Sequence, residues 1–93
     1  MTKAEIVAGI ANKTGIEKNA VQSSIEAFME TVKISLQKGE NVYLRGFGSF
    51  IIKERKEKTG RNISKKTTII IPAHKIPAFK PAKSFVAEIK ENV

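Results

Sequence analysis

The sequence predicts an α+β fold: two amino-terminal helices, a three-stranded antiparallel sheet with a long protruding β-arm, and a short carboxy-terminal helix. Apolar residues recur every three or four positions over residues 1–38, which is the period of a helix. From residue 41 the period shortens to that of strands, and residues 53–62 contain no large apolar side chain. At 93 residues the chain is expected to form one domain.

The two amino-terminal helices are predicted over residues 3–13 and 18–38. Thr2 and Glu5 have the spacing of a capping box, and Gly15 is suited to end the first helix. The start of the second helix is left open within residues 17–19, and Gly39 ends it. One apolar stripe runs along this helix through Val21, Ile25, Phe28, Met29, Val32 and Leu36.

The second half of the chain has the pattern of a hairpin with a polar extension. Strands are predicted near residues 42–52, interrupted by Gly46 and Gly48, and apolar alternation returns at residues 69–79. The polar segment between them should project as an arm; a flexible basic loop that orders only on a partner is the alternative. Pro81 suits the start of the last helix, in which Phe85, Val86 and Ile89 share a face.

The positive charge of the chain is concentrated in one segment. The net charge is +8, yet residues 1–50 carry six basic against five acidic residues, whereas residues 51–83 carry ten against two. Lysines spread for solubility would not be segregated in this way. The segment therefore indicates a surface for a polyanion.

Other classes of function have little support in the sequence. The chain has no cysteine and a single histidine, His74, so neither a metal site nor histidine catalysis has a credible set of residues. His74 is expected to be an exposed loop residue. No signal peptide and no membrane-spanning run is apparent, so we expect a soluble, intracellular protein that is not an enzyme and needs no cofactor.

Three motifs in order resemble those of the bacterial histone-like HU and integration host factor family, and HU more closely. They are Gly46-Phe47-Gly48-Ser49-Phe50, then Gly60-Arg61-Asn62, then Ile76-Pro77-Ala78-Phe79-Lys80-Pro81. The resemblance covers almost the whole chain. It implies an intertwined dimer in which the helices form the body and two β-arms reach around double-stranded DNA, binding its minor groove and bending it.

The predicted DNA-binding residues come partly from the resemblance and partly from charge. Arg55, Lys58 and Arg61 match basic positions of the family, and Lys53 and Lys56 are added from charge alone. Lysine and arginine suit this task because each neutralised phosphate releases counterions. The whole predicted set is Lys3, Lys53, Arg55, Lys56, Lys58, Arg61, Asn62, Ile63, Lys65, Lys66, Lys75, Lys80 and Lys83.

The tip of the arm departs from the family pattern. After Asn62 the family usually has a proline that wedges between base pairs, but this chain has Ile63, and no second glycine follows. Isoleucine is apolar and can act as a wedge. An ordinary strand residue at the arm tip is the alternative.

The prediction is a dimeric architectural protein that bends and compacts double-stranded DNA with little sequence specificity, in the bacterial cytoplasm and nucleoid. A homodimer is expected, with a heterodimer of two related chains as an alternative. Within the single domain, residues 1–39 would form the helical part that dimerises. Residues 40–81 would form the sheet, with the arm at about 53–75, and residues 82–93 would form the last helix. A sequence-selective DNA bender and a protein that binds RNA or single strands are the other candidates.

Overall fold

The computed structural model describes the backbone of residues 1–62 and 67–91, and the side chains of these residues apart from 61–62 and 67–69. Within these ranges the elements are α1 (Lys3–Thr14), α2 (Lys18–Gln37), β1 (Val42–Leu44), β2 (Gly48–Arg55), β3 (Lys58–Asn62), β4 (Thr67–Ile71), β5 (His74–Pro81) and α3 (Lys83–Glu91). This order confirms the predicted α+β fold. By its internal contacts the chain divides into two compact units, Met1–Ser35 and Leu36–Val93. No helix in the described ranges is long and apolar enough to cross a membrane.

Helix α1 starts at the predicted cap. The Glu5 N–H donates to Thr2 Oγ1 at 3.3 Å, and the Thr2 hydroxyl lies 3.3 Å from a Glu5 carboxylate oxygen, to which it donates. The carboxylate thus accepts a hydrogen bond from the capping hydroxyl. At the other end Gly15 has a φ of 75°, and its N–H donates to the Ala11 carbonyl.

The apolar stripe of α2 is only partly covered. Val21 and Val32 are buried, while Phe28 and Met29 remain 44% and 41% exposed. Together with Val7 of α1, these two valines are the only buried apolar side chains among the residues that the structure describes. Such a core is small for a chain of this length, and part of the apolar area of the stripe, at Phe28 and Met29, is still accessible.

Two antiparallel sheets make up the second unit. The body sheet has the strand order β1-β2-β5, and the arm sheet pairs β3 with β4. The body sheet extends to the pair Arg55 and His74, and the arm sheet begins at the pair Lys58 and Ile71. The first residues of the predicted arm therefore belong to the body sheet, because β2 pairs with β5 along its whole length.

The turn between β1 and β2 depends on two glycines for different reasons. Gly46 has a φ of 81°, a conformation that side chains with a Cβ rarely adopt. Gly48 has no room for a side chain, because a Cβ there would lie 2.6 Å from the Lys80 carbonyl oxygen and 2.6 Å from Phe79 Cζ. Close approach of β2 to β5 at this position is thus possible only for glycine.

An aromatic cluster joins one side of the body sheet to α3. The ring of Phe79 lies 5.1 Å from that of Phe50 and 5.1 Å from that of Phe47, measured between centroids. Phe47 in turn stacks on Phe85 of α3 at 5.7 Å. The cluster thus holds these strands against α3.

The prediction that Pro81 begins the last helix is wrong. Pro81 is the final residue of β5, and α3 starts at Lys83. A proline is tolerated there because β5 is an edge strand of the body sheet, where a missing N–H removes no bond to a further strand. The Ala82 N–H donates to the Phe47 carbonyl at 2.9 Å, which sets the direction in which α3 leaves the sheet.

Candidate nucleic-acid interface

Basic side chains collect on one face of the body sheet. Side chains alternate between the two faces of a strand, and the register of β2 with β5 is continuous. One face carries the pairs Phe50 with Phe79 and Glu54 with Lys75, and we call it the aromatic face. The opposite face, here called the basic face, carries the pairs Ser49 with Lys80, Ile51 with Ala78, Lys53 with Ile76, and Arg55 with His74.

The cations of the basic face are open to solvent. Lys53, Arg55 and Lys80 are all exposed, and neither β2 nor β5 places a carboxylate among them. Glu54, the only acidic residue of these two strands, lies on the aromatic face, opposite Lys75. The positive charges of the basic face are therefore not offset by a carboxylate within the same face of this strand pair, as binding of a polyanion requires.

The arm sheet continues the basic segment. Lys58 begins β3, and Arg61 and Asn62 lie in the same strand, paired with Thr68 and Thr67 of β4. Lys56 lies between the two sheets, in the connection from β2 to β3. The predicted contacts at Ile63, Lys65 and Lys66 fall outside the described residues.

A shallow concavity of about 490 Å³ lies next to the basic face. Three cations line it: Lys80 from β5, Lys83 from the start of α3, and Arg45 from the turn after β1. Arg45 was not among the predicted contacts, because residues 1–50 are nearly neutral as a group. The one feature of the sequence that pointed to Arg45 was its position directly before Gly46, because the turn at this glycine brings Arg45 beside β5.

Tyr43 is a second residue of this surface that was not among the predicted contacts. It is 72% exposed. Tyr43 pairs with Ser49 across β1 and β2, which places its ring on the basic face. Because β1 is an edge strand of only three residues, no further strand covers this ring on its outer side.

Lys3, the weakest of the predicted contacts, is engaged in an ion pair. Its Nζ lies 2.9 Å from Glu26 Oε1, with both side chains about half exposed. Hydrogen bonds from Lys3 and from Gln22, together with the charge of Lys3, lower the pKa of Glu26 below its usual value. Lys3 must give up this carboxylate before it can bind a phosphate.

Comparison with known proteins identifies the family. The chain matches the family model described as bacterial DNA-binding protein over residues 1–90. It belongs to that family. A DNA-binding protein HU 2 of Bacillus subtilis, derived from the SPbeta prophage, is 41% identical over 90 residues, covering 97% of this chain and 98% of the relative. A DNA-binding protein HU of Thermus thermophilus is 38% identical over 91 residues, covering 98% and 94%.

Solved structures of HU proteins have the same fold. An Anabaena HU–DNA cocrystal structure matches with a TM-score of 0.89 at 36% identity, covering 96% of this chain and 97% of the Anabaena chain. HU from Thermotoga maritima matches with a TM-score of 0.68 at 28% identity, covering 96% and 98%. The resemblance inferred from the three motifs is confirmed, and the HU family is one of architectural DNA-binding proteins.

The fold thus groups four of the predicted site residues and places others elsewhere. Lys53, Arg55 and Lys80 share the basic face, and Lys83 lies beside it. Lys75 lies on the aromatic face. Lys3 is in the first unit. Among the described residues, no group of three or more histidine or acidic side chains could hold a metal ion.

Proposed function

We propose that this chain is an architectural protein that binds double-stranded DNA through its basic face and arm, bends it and compacts it. The observation that carries the proposal is the segregation of charge across the body sheet, with Lys53, Arg55 and Lys80 on one face and the aromatic cluster behind them. Phosphates are regularly spaced along a duplex, so a row of exposed cations on a sheet can neutralise several of them together. The HU relatives and the HU–DNA cocrystal structure support the same ligand.

We assign the predicted set of residues to this interface, with Arg45 added. The arm residues from Lys56 to Lys66 would follow the minor groove, where the negative potential of a narrow groove favours arginine, and Ile63 would act as the wedge. Lys80, Lys83 and Arg45, around one concavity, would hold the flanking backbone. Lys75 would contribute less than the others, because the Glu54 carboxylate lies opposite it on the aromatic face.

A dimer is the form that the apolar surfaces require. In the first unit only three valines are buried among the described residues, and in the second Phe47, Phe79 and Ile89 are between 40% and 56% exposed. Small domains whose core is this thin usually gain the missing burial by association. We propose that the stripe of α2 and the aromatic cluster are covered by a second copy, so that residues 1–93 form one domain within an intertwined dimer.

Sedimentation equilibrium at micromolar concentration tests the dimer. The expected result is a single species of twice the chain mass of 10.3 kDa. A folded monomer at this concentration would contradict the dimer, and would leave the apolar surfaces unexplained.

Little sequence specificity is expected. Most of the proposed contacts are lysines, which bind phosphates as point charges, and the minor groove presents nearly the same pattern for A·T and T·A pairs. Bent, nicked or flexible duplexes should bind more tightly because their deformation costs less. A sequence-selective bender is the alternative within the same family, and it would show a strong preference among straight duplexes of equal length.

One observation favours a second candidate, a protein that binds single strands. Tyr43 is exposed on the basic face, and single-strand binders stack bases on such rings. Competition between a duplex and single strands of equal length in a gel-shift assay decides between the two. We expect the duplex to win, and Tyr43→Ala to change duplex affinity little; preference for the single strand, lost in Tyr43→Ala, would establish the second candidate.

No enzymatic activity is proposed. The family is one of DNA-binding proteins, not of enzymes. We further propose that the protein acts in the bacterial cytoplasm, on the DNA of the nucleoid.

A further inference from the structure

His74 lies within the proposed DNA-binding surface, although nothing in the sequence analysis assigned it a role. It is exposed, and it is the first residue of β5, not a loop residue as we had expected. It pairs with Arg55 on the basic face, at the end of the body sheet from which the arm continues. It is also the only histidine of the chain.

The imidazole is held in one tautomer. Its Nδ1 lies 3.0 Å from the carbonyl oxygen of Pro72. A carbonyl can only accept a hydrogen bond, so Nδ1 carries the hydrogen and the neutral ring has an unprotonated Nε2. In that form Nε2 cannot donate to a phosphate oxygen. Once Nε2 is protonated, the ring is a cation that can donate to a phosphate while it still donates to Pro72.

The charged neighbours of the ring are known from the strand register. Arg55 lies directly opposite, and Lys53 is two residues further along β2 on the same face. The pair of Glu54 and Lys75 lies on the aromatic face, and Glu57 lies in the connection to β3. Three cations in a row on the basic face repel one another unless anions lie between them, and DNA phosphates are such anions.

We propose that His74 is a phosphate-binding residue that takes up a proton when double-stranded DNA binds. This inference rests on the proposed function. Among side chains, histidine is the one most often used as a pH switch. The bound state favours the protonated ring, and therefore the affinity for DNA rises as the pH falls. Each dimer would gain two phosphate contacts at acidic pH.

The size of the effect follows from counterion release. Each neutralised phosphate contributes about 0.9 to the slope of log affinity against log salt, which is about eightfold in affinity at 0.1 M salt. We therefore expect the slope of the wild-type protein to be steeper at pH 6 than at pH 8 by up to about 1.8 per dimer.

The test measures duplex affinity by fluorescence anisotropy at pH 6 and pH 8, over a series of salt concentrations, for three proteins. The wild type should bind more tightly at pH 6. His74→Gln, which keeps a polar side chain but cannot become charged, should bind equally at both values, apart from any contribution of the Met1 amine. His74→Lys, which is charged throughout, should bind at pH 8 as the wild type does at pH 6.

The outcomes separate this inference from the proposed function. If the wild type binds duplex DNA but His74→Gln retains the full pH dependence, the proton is taken up elsewhere and the inference is wrong while the function stands. If the wild type binds with no pH dependence, the inference is again wrong. If the wild type binds no duplex at either pH, the proposed function itself fails, and the inference fails with it.

Discussion

The two faces of the body sheet provide a direct test of which charges bind DNA. Lys53 and Arg55 lie on the basic face, whereas Lys75 is on the aromatic face and Lys90 lines a cavity beside Phe79. Replacing either pair with alanine removes the same net charge from the chain. A protein that bound DNA only through its overall charge would respond equally to the two double variants. Binding through the basic face requires a large difference between them.

The expected difference is set by the number of phosphates released. In a dimer, Lys53→Ala with Arg55→Ala removes four cations from the basic face. At about 0.9 per phosphate, the slope of log affinity against log salt should become shallower by up to about 3.6, which is more than three orders of magnitude in affinity at 0.1 M salt. Lys75→Ala with Lys90→Ala should flatten the slope much less, because Glu54 lies opposite Lys75 and Lys90 is not among the proposed contacts.

Fluorescence anisotropy of a labelled duplex between 50 and 200 mM salt, roughly the range over which such slopes are resolved, measures both slopes. Circular dichroism should show that each double variant remains folded, since all four side chains are exposed. Equal flattening of the two slopes would refute the assignment of DNA to the basic face. A larger flattening in the Lys75 and Lys90 double variant than in the Lys53 and Arg55 double variant would refute it as well.

Three further predictions concern the strand packing, the arm tip and the ion pair of the first unit. Gly48→Ala should lower the free energy of unfolding by about 1–3 kcal/mol in urea titrations, because its Cβ would overlap the Lys80 carbonyl; unchanged stability would show that the strands separate freely. Ile63→Ala should reduce the bending of a duplex labelled at both ends, measured by fluorescence transfer, with the salt slope kept; undiminished bending would make Ile63 an ordinary strand residue. Glu26→Gln should lower the thermal midpoint slightly at pH 7, and this difference should shrink as the pH falls below 4.5. A carboxyl group whose pKa is lowered in the folded state stabilises the fold above its unfolded-state pKa, and this stabilisation is lost as the pH falls through the folded-state pKa. A difference that stayed constant down to acidic pH would exclude the ion pair as its cause.

Much of the fold could be predicted because its signals are local. Helix α1 is bounded by a capping threonine and a glycine at positive φ, both of which act within one turn of the chain. The change from helical to strand periodicity near residue 41 likewise needs no knowledge of distant residues. Where a feature depended on pairing, prediction was less successful: Pro81 has the sequence context of a helix start, but its place opposite Gly48 in an edge strand decided otherwise.

The site was predicted as a segment but not as a surface. Counting charges located the basic residues between 51 and 83. It could not detect Arg45, which comes from a nearly neutral half of the chain and reaches the site only through the turn at Gly46. A count of charges also could not show that the ring of Tyr43 is exposed to solvent, because its surroundings depend on how many strands lie beside β1.

The sequence by itself determined the order of elements, the family and the concentration of charge, because each of these is a property of composition or of short-range spacing. Only the tertiary structure decided which cations act together. In residues 53–58 no apolar alternation marks an inner and an outer face, so the assignment of Lys53 and Arg55 to one face and of Lys75 to the other rests on the register between β2 and β5. A shift of one residue in that register would turn every side chain of the shifted strand to the opposite face, and the close approach of Gly48 to Phe79 and Lys80 leaves no room for a side chain at that position.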